Sequence, residues 1–209
     1  MKADPEPATA SSSANVAGII LSAGESTRMG ADKALLVYRG KTFLENIIAA
    51  LREAGVHRVI VVLGHNADLI QQSVDLSEVE VVVNQDYRRG QTSSLQAGLR
   101  VLAASEPDGI VLCLVDHPAI STNTMRNLIQ HFKSSGRPVF VPQMQGRHGH
   151  PVLVGREVFS QIAALGPDEG ADTVIHKYRD RTEFVEVTDP GILIDVDDPE
   201  SYLNLTTRQ

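Results

Sequence analysis

The sequence predicts a three-layer α/β domain with a mainly parallel central sheet, and three observations carry that prediction. Short β-branched runs alternate with longer amphipathic stretches from one end of the chain to the other. Several of those runs, such as Val59–Leu63 and Ile110–Val115, are almost continuously apolar, as strands covered on both faces are. The chain has 209 residues, 42% of them hydrophobic, which suits one domain with a substantial core. Helices laid on both faces of a parallel sheet satisfy all three observations.

Taken in order, strands are expected at Val16–Leu21, Arg58–Leu63, Val79–Val83, Gly109–Val115, Pro138–Val141, Pro151–Val154, Thr182–Val187 and Ile192–Val196. Amphipathic helices are expected between them, at Thr42–Ala54, Ala67–Ser73, Ser93–Ala104, Asn123–Ser134, Arg156–Leu165, Ala171–Tyr178 and Pro199–Leu205. Gly55, Gly136 and Gly166 stand where helix stops are wanted. Right-handed crossovers put the loops after each strand on one edge of the sheet, where ligands of such sheets bind. Pro142–Gly155 breaks the rhythm and reads as the start of a small extra sheet. Met1–Asn15, rich in Ala, Ser and Pro, reads as a floppy tail ahead of one domain at 16–209. It has neither the arginine-rich face nor the apolar segment of a targeting peptide.

Charge and cysteine content narrow the function classes. With 26 acidic residues against 19 basic, the net charge is −7, which argues against a nucleic-acid polymer as partner. No apolar run approaches the ~18 residues of a membrane span. A small anion held by a few placed cations stays open. Cys113 is alone inside Gly109–Val115, so neither a disulfide framework nor a zinc quartet is available, and it reads as a small buried hydrophobe. A cytoplasmic protein is the simplest reading.

The first strand runs into Leu21-Ser22-Ala23-Gly24-Glu25-Ser26-Thr27-Arg28-Met29-Gly30-Ala31-Asp32-Lys33. This is neither a P-loop nor the dinucleotide G-x-G-x-x-G. Glycines and small residues nevertheless let backbone amides face an anion, and Arg28 and Lys33 add two cations. A neutral surface turn has the same composition, so the loop alone leaves both readings open. Lys33 reads as a solvated loop cation whose loss would hardly touch stability.

The loop resembles the signature of the nucleotidylyltransferases that attach a nucleotide to molybdopterin, the MobA-like NTP transferases. The likeness continues in the family's order through Gly90–Gly98, Val115-Asp116-His117-Pro118, Gly149-His150-Pro151-Val152-Leu153 and Asp195-Val196-Asp197-Asp198-Pro199-Glu200. It implies the Rossmann-like nucleotidyltransferase fold. It also implies transfer of a nucleoside monophosphate to a molybdopterin phosphate with release of pyrophosphate, CTP being the first candidate donor and Mg²⁺ the cofactor.

Asp116 stands where Pro118 ends the fourth strand, on the ligand-binding edge. From the residues it is an Asx-type turn cap or a metal ligand; the resemblance favours the ligand, with His117 in place of the family's frequent Gln. Asp195 and Asp197 would share one face of a strand, so both can approach one metal. The resemblance prefers Asp197. Asp198 before Pro199 reads as a helix N-cap. Two carboxylates, substrate phosphates and water suit Mg²⁺, which dehydrates reluctantly.

Thr92, Ser93 and Ser94 precede a helix and read as ordinary capping residues. By resemblance a serine here contacts base or ribose, Ser94 ahead of Ser93, with Asn84 a further sugar contact. Leu21, Ser22, Ala23 and Gly24 would line the nucleotide. Arg147, His148 and His150 read either as solvated loop residues or, by resemblance, as the side that meets the acceptor phosphate. Catalysis would rest on Arg28, Lys33 and Asp116. The alternatives are a GTP-dependent or a sugar- or alditol-phosphate nucleotidylyltransferase and, from another class, a nucleotide-binding module delivering cofactor to a molybdoenzyme or its chaperone.

Overall fold

Continuous aliphatic runs pair into one sheet whose two faces are both sealed. In the computed structural model, which describes residues 14–166 and 169–207, β1 (Val16–Ser22) is buried along its whole length. After it come the two-residue strands β2 (Val37–Tyr38) and β3 (Lys41–Thr42), α1 (Phe43–Glu53), β4 (Val59–Leu63) and α2 (Ala67–Ser73). Next are β5 (Glu80–Val83), α3 (Gln91–Leu102), β6 (Gly109–Leu114) and α4 (Thr122–Ser134). Then follow β7 (Val139–Met144), β8 (Arg147–His148), β9 (Val152–Gly155), α5 (Arg156–Ala163), α6 (Ala171–Lys177), β10 (Thr182–Glu186) and α7 (Pro199–Thr207).

Among the described residues the sheet order is β5-β4-β1-β6-β9-β7-β10, with β8 paired to β7. Every ladder along that path is parallel except those of β9, which runs antiparallel to both β6 and β7. The mainly parallel three-layer fold is therefore present.

The period of two along β1 divides the core. Ile20 faces Leu44, Ile47 and Leu51 of α1 and Met125 and Leu128 of α4. Ile19 and Leu21 face Leu95 and Leu99 of α3 and Val158 and Ile162 of α5. A third, smaller cluster joins Met29, Tyr38, Phe43, Val196 and Leu205. It ties the loop after β1 to the arm before α7. A capping box at Thr42 and Glu45 fixes the start of α1, with Thr42 N donating to Glu45 Oε2 at 2.7 Å.

Three expectations need correction. Pro142–Gly155 starts no extra sheet: β9 joins the central sheet and β8 folds back on β7. Helix α3 begins at Gln91, because Gly90 with φ of 99° takes the cap position, so Thr92, Ser93 and Ser94 lie in the first turn instead of before it. Ile192–Val196 is not a strand. Pro190 brings no amide to a ladder, and Asp189 caps a 3₁₀ turn over Pro190–Leu193 by accepting from Gly191 N at 2.9 Å. The expected tail, Met1–Asn15, lies outside the described residues save for its last two positions.

Asp189 also accepts from Ser121 N at 2.8 Å and Thr124 Oγ1 at 2.7 Å, at the start of α4. Its carboxylate thus anchors the arm that carries Asp195 and Asp197. Asp189→Ala is expected to cost about 2 kcal/mol, since bonds to a charged acceptor are the stronger kind. For a chain of this size that lowers the melting temperature by roughly 4–8 °C, read by thermal denaturation. An unchanged melt would show that the anchor carries no load.

Candidate active site

The chain leaves β1 toward β4 on one side and returns to β6 on the other, so a crevice opens at their carboxyl ends, where ligands of such sheets bind. A cleft of about 340 Å³ lies there. The end of β1 supplies Leu21, Ser22, Ala23 and Gly24, and the turn after β6 supplies Leu114, Val115 and Asp116. Met29 N and Gly30 N both donate to Ser26 O, at 3.0 and 3.1 Å, which folds the glycine loop back on itself. Gly64 lets the ends of β1 and β4 approach: a Cβ there would stand 2.7 Å from Ala23 O and 2.6 Å from Cβ of Tyr87.

Helix α3 forms the opposite wall. Gln91 and Ser94 line the cleft. Buried Asn84 donates from Nδ2 to Ser93 Oγ at 3.0 Å and to Ser94 Oγ at 3.1 Å, so these three expected residues form one polar group. Thr92 is drawn off to α6, its hydroxyl accepting from Ala171 N at 3.0 Å. The loop is strapped to this wall by Glu25, which pairs with Arg88 at 2.9 Å and accepts from Tyr87 Oη at 3.3 Å.

The charged centre lies between the loop, β6 and the arm. Lys33 Nζ is 2.5 Å from Asp197 Oδ1 and 3.3 Å from Asp116 Oδ2, while Arg28 Nη2 is 2.7 Å from Asp197 Oδ2. Lys33 is only 9% exposed, which corrects the expectation of a solvated loop cation. The 3₁₀ turn at Lys33–Leu35 and the buried Ala34 carry it inward, and an interior ammonium needs paired carboxylates. Asp198 does cap α7, accepting from Ser201 N at 2.8 Å.

The carboxylates two residues apart sit in opposite fields. The hydrogen bond from Lys33, then its charge and that of Arg28, holds Asp197 below the usual carboxylate range. Partial desolvation by its neighbours first, then the charges of Asp116 and Asp197, pushes Asp195 up, although the residue as a whole is exposed. One donor atom from each of Asp116, His117 and Asp195 lies within 4.8 Å of the others.

The sequence pointed past His117. Its ring is buried and lies 4.7 Å from that of His150, centroid to centroid. Burial lowers the pKa of both, that of His150 to about 4 with a further push from His117. The available signal was its position, between a strand-end aspartate and the proline that stops the strand. Arg147 and His148 are exposed on β8, outside the cleft lining; His148 stacks on Phe184 with centroids 4.2 Å apart. His150 is thus the expected acceptor residue that the structure brings to the centre. Cys113 is buried, as expected, and burial raises its thiol pKa.

A mainly parallel sheet with a glycine loop at its switch point, two cations and a set of carboxylates is the layout of a site for an anionic ligand. Residues 18–182 match the MobA-like NTP transferase domain, and the chain belongs to that family of nucleotidyltransferases. It is 31% identical over 197 residues to the nicotine blue oxidoreductase of Paenarthrobacter nicotinovorans, covering 91% of this chain and 96% of that one. It is 38% identical over 105 residues to a probable molybdenum cofactor guanylyltransferase of Opitutus terrae, half of each chain. The structure of Rv0371c from Mycobacterium tuberculosis in complex with manganese superposes with a TM-score of 0.76 at 30% identity, over 93% of this chain and all of that one. Among the described residues no helix is long and apolar enough to cross a membrane.

A depressed carboxylate contributes stability that is present above its unfolded pKa and lost as pH falls through the folded one. Lys33→Met removes the main cause of that depression at Asp197. The variant is therefore expected to melt below the wild type at pH 7, with the gap closing as pH drops below about 4. Melting curves from pH 3 to 8 check this; a gap independent of pH would mean that Lys33 stabilises by packing alone.

Proposed function

We propose that the protein transfers CMP from CTP to the phosphate of a molybdopterin-type acceptor, releasing pyrophosphate. The observation that carries this reading is the placement of Arg28 and Lys33 against Asp116 and Asp197, at the end of β1 where the glycine loop begins. Those cations serve the triphosphate. An acceptor phosphate oxygen forms the new bond to the α-phosphorus, and the bond from that phosphorus to the β-phosphate bridging oxygen breaks. The acceptor is already anionic at neutral pH, so no base is needed. The difficulty is bringing two anions together, and positioning with charge neutralisation meets it.

The donor set fits a divalent cation. Asp116 Oδ1 is buried without a hydrogen-bond partner among the described residues, and the carboxylate of Asp195 stands within 4.8 Å of a donor atom of Asp116. Asp116 and Asp195 would hold the ion, Asp197 remaining the counter-ion of Lys33 and Arg28. Oxygen donors and water suit Mg²⁺, and such an ion supplies neutralisation of the phosphate charge. His150, with Arg147 and His148 farther out on β8, marks the side from which the acceptor enters.

The molybdopterin acceptor rests on the resemblance of the motifs and on the name of the Opitutus relative. The Paenarthrobacter relative carries an oxidoreductase name, but the cations and carboxylates gathered here serve phosphate chemistry. Base choice rests on Ala23, buried at the head of the cleft. Its Cβ takes up space beneath the base and favours the smaller cytosine, while Ser94 and Asn84 offer hydrogen bonds to base or ribose.

Pyrophosphate release with molybdopterin cofactor and CTP, GTP, UTP or ATP in turn is the decisive measurement. CTP is expected to exceed GTP by about tenfold or more in kcat/KM, with Ala23→Gly narrowing the gap. Better use of GTP would remove Ala23 from base selection, and nucleotide binding without turnover would leave a delivery module. Asp116→Asn should keep its fold and lose turnover at least about a hundredfold. Near-full turnover would return Asp116 to the role of a turn cap.

A further inference from the structure

One side chain at the centre is not accounted for by the two aspartates. His117 is 8% exposed, and its Nδ1 is buried without a hydrogen-bond partner. Its Nε2 lies 4.0 Å from Asp116 Oδ1, an atom likewise buried and unpartnered. Burying an unpaired polar group costs about 1–3 kcal/mol, so Asp116 Oδ1, with Nε2 of His117 4.0 Å away, calls for a partner. One donor atom from each of Asp116, His117 and Asp195 lies within 4.8 Å of the others, so they need close only to within about 4.4 Å to share one ion at bond lengths of about 2.0–2.2 Å.

We propose that His117 is the third protein ligand of this divalent site and that its nitrogen shifts the preference of the site from Mg²⁺ toward Mn²⁺. The proposal rests on the reading that Asp116 and Asp195 hold the ion. Mg²⁺ favours a shell of oxygens, whereas imidazole is a ligand of first-row transition ions. The sequence Asp116-His117-Pro118 places an oxygen and a nitrogen donor on one tight turn. His150, its amide fixed by Ile192 O at 3.1 Å, lays its ring against that of His117 and limits its rotation. Asp197 is taken up by Lys33 and Arg28. The ion and Arg28 therefore draw on different carboxylates, while Lys33 also meets Asp116 through its other oxygen, Oδ2, at 3.3 Å.

Mn²⁺ titrated into the full-length protein without nucleotide, followed by pulsed electron paramagnetic resonance, tests this directly. The expected result is ¹⁴N modulation from a coordinated imidazole in the wild type, lost in His117→Gln. Loss of outer-shell partners alone weakens metal binding by about 10–100-fold. His117→Gln is accordingly expected to weaken Mn²⁺ by at least about tenfold, while Mg²⁺, measured by competition, stays within about threefold. The wild-type spectrum does not depend on how well any variant folds. Bound Mn²⁺ without ¹⁴N modulation, or modulation that survives His117→Gln, overturns the proposal. Asp116→Asn separates the two levels. If it abolishes Mn²⁺ binding while the wild type lacks the nitrogen signal, only the assignment of His117 falls. If wild-type binding is absent or indifferent to Asp116→Asn, the divalent site falls with it.

Discussion

A lysine ammonium held inside the protein by two carboxylates sets the geometry of the cleft. Lys33 comes from the glycine loop, Asp116 from the turn after β6, and Asp197 from the arm before α7. No two of these segments are neighbours in sequence, so the charge cluster joins three separate parts of the chain. Breaking such a pair leaves an uncompensated interior charge, which costs far more than the pair itself contributes. The third apolar cluster shields it: Met29 from the loop, Val196 from the arm and Phe43 from α1 bury their side chains together. Val196 N donates to Asp116 O at 2.9 Å and completes the tie.

The antiparallel strand β9 gives the site its second side. In an all-parallel sheet the edge beyond β6 would carry another crossover helix. Here β7, β8 and β9 double back, and Gly149 and His150 are drawn against the arm through His150 N and Ile192 O. A Cβ at residue 149 would stand 2.0 Å from that same carbonyl oxygen, so only glycine allows the approach. His150 is thereby delivered to His117, and the carboxylate centre acquires an imidazole wall.

Where hydrophobic period decides structure, the sequence is legible. β1, β4 and β6 are aliphatic at almost every position because both faces are covered. The positions of the glycine loop and Asp116 at strand ends were likewise readable, and the resemblance added Ser94 and Asn84, which the structure buries in one polar group. The arm was not. Ile192–Val196 has the composition of a strand, and its alternation is that of a segment buried piecewise: Ile192 enters one cluster and Val196 another. Composition records that these residues are buried and is silent on a neighbouring strand. Lys33 was misjudged for a related reason, because the carboxylate partners that permit its burial lie 83 and 164 residues away.

Asp195 and Asp197 show how far position outweighs residue type. Both are aspartates on one short arm, yet the ammonium and guanidinium beside Asp197 depress it, while partial desolvation and like charges raise the exposed Asp195. Groups of one kind pushed apart by their surroundings are fitted to different tasks. Asp197 has its cations already, and its carboxylate serves to hold Lys33 and Arg28 at the mouth of the glycine loop. Among the described residues Asp195 has none, and Asp116 beside it keeps one oxygen buried without a partner. Positive charge arriving from outside is stabilised most where negative charge is least compensated. On the reading proposed above that place is the group of Asp116, His117 and Asp195, whereas Asp197 is already paired with Lys33 and Arg28.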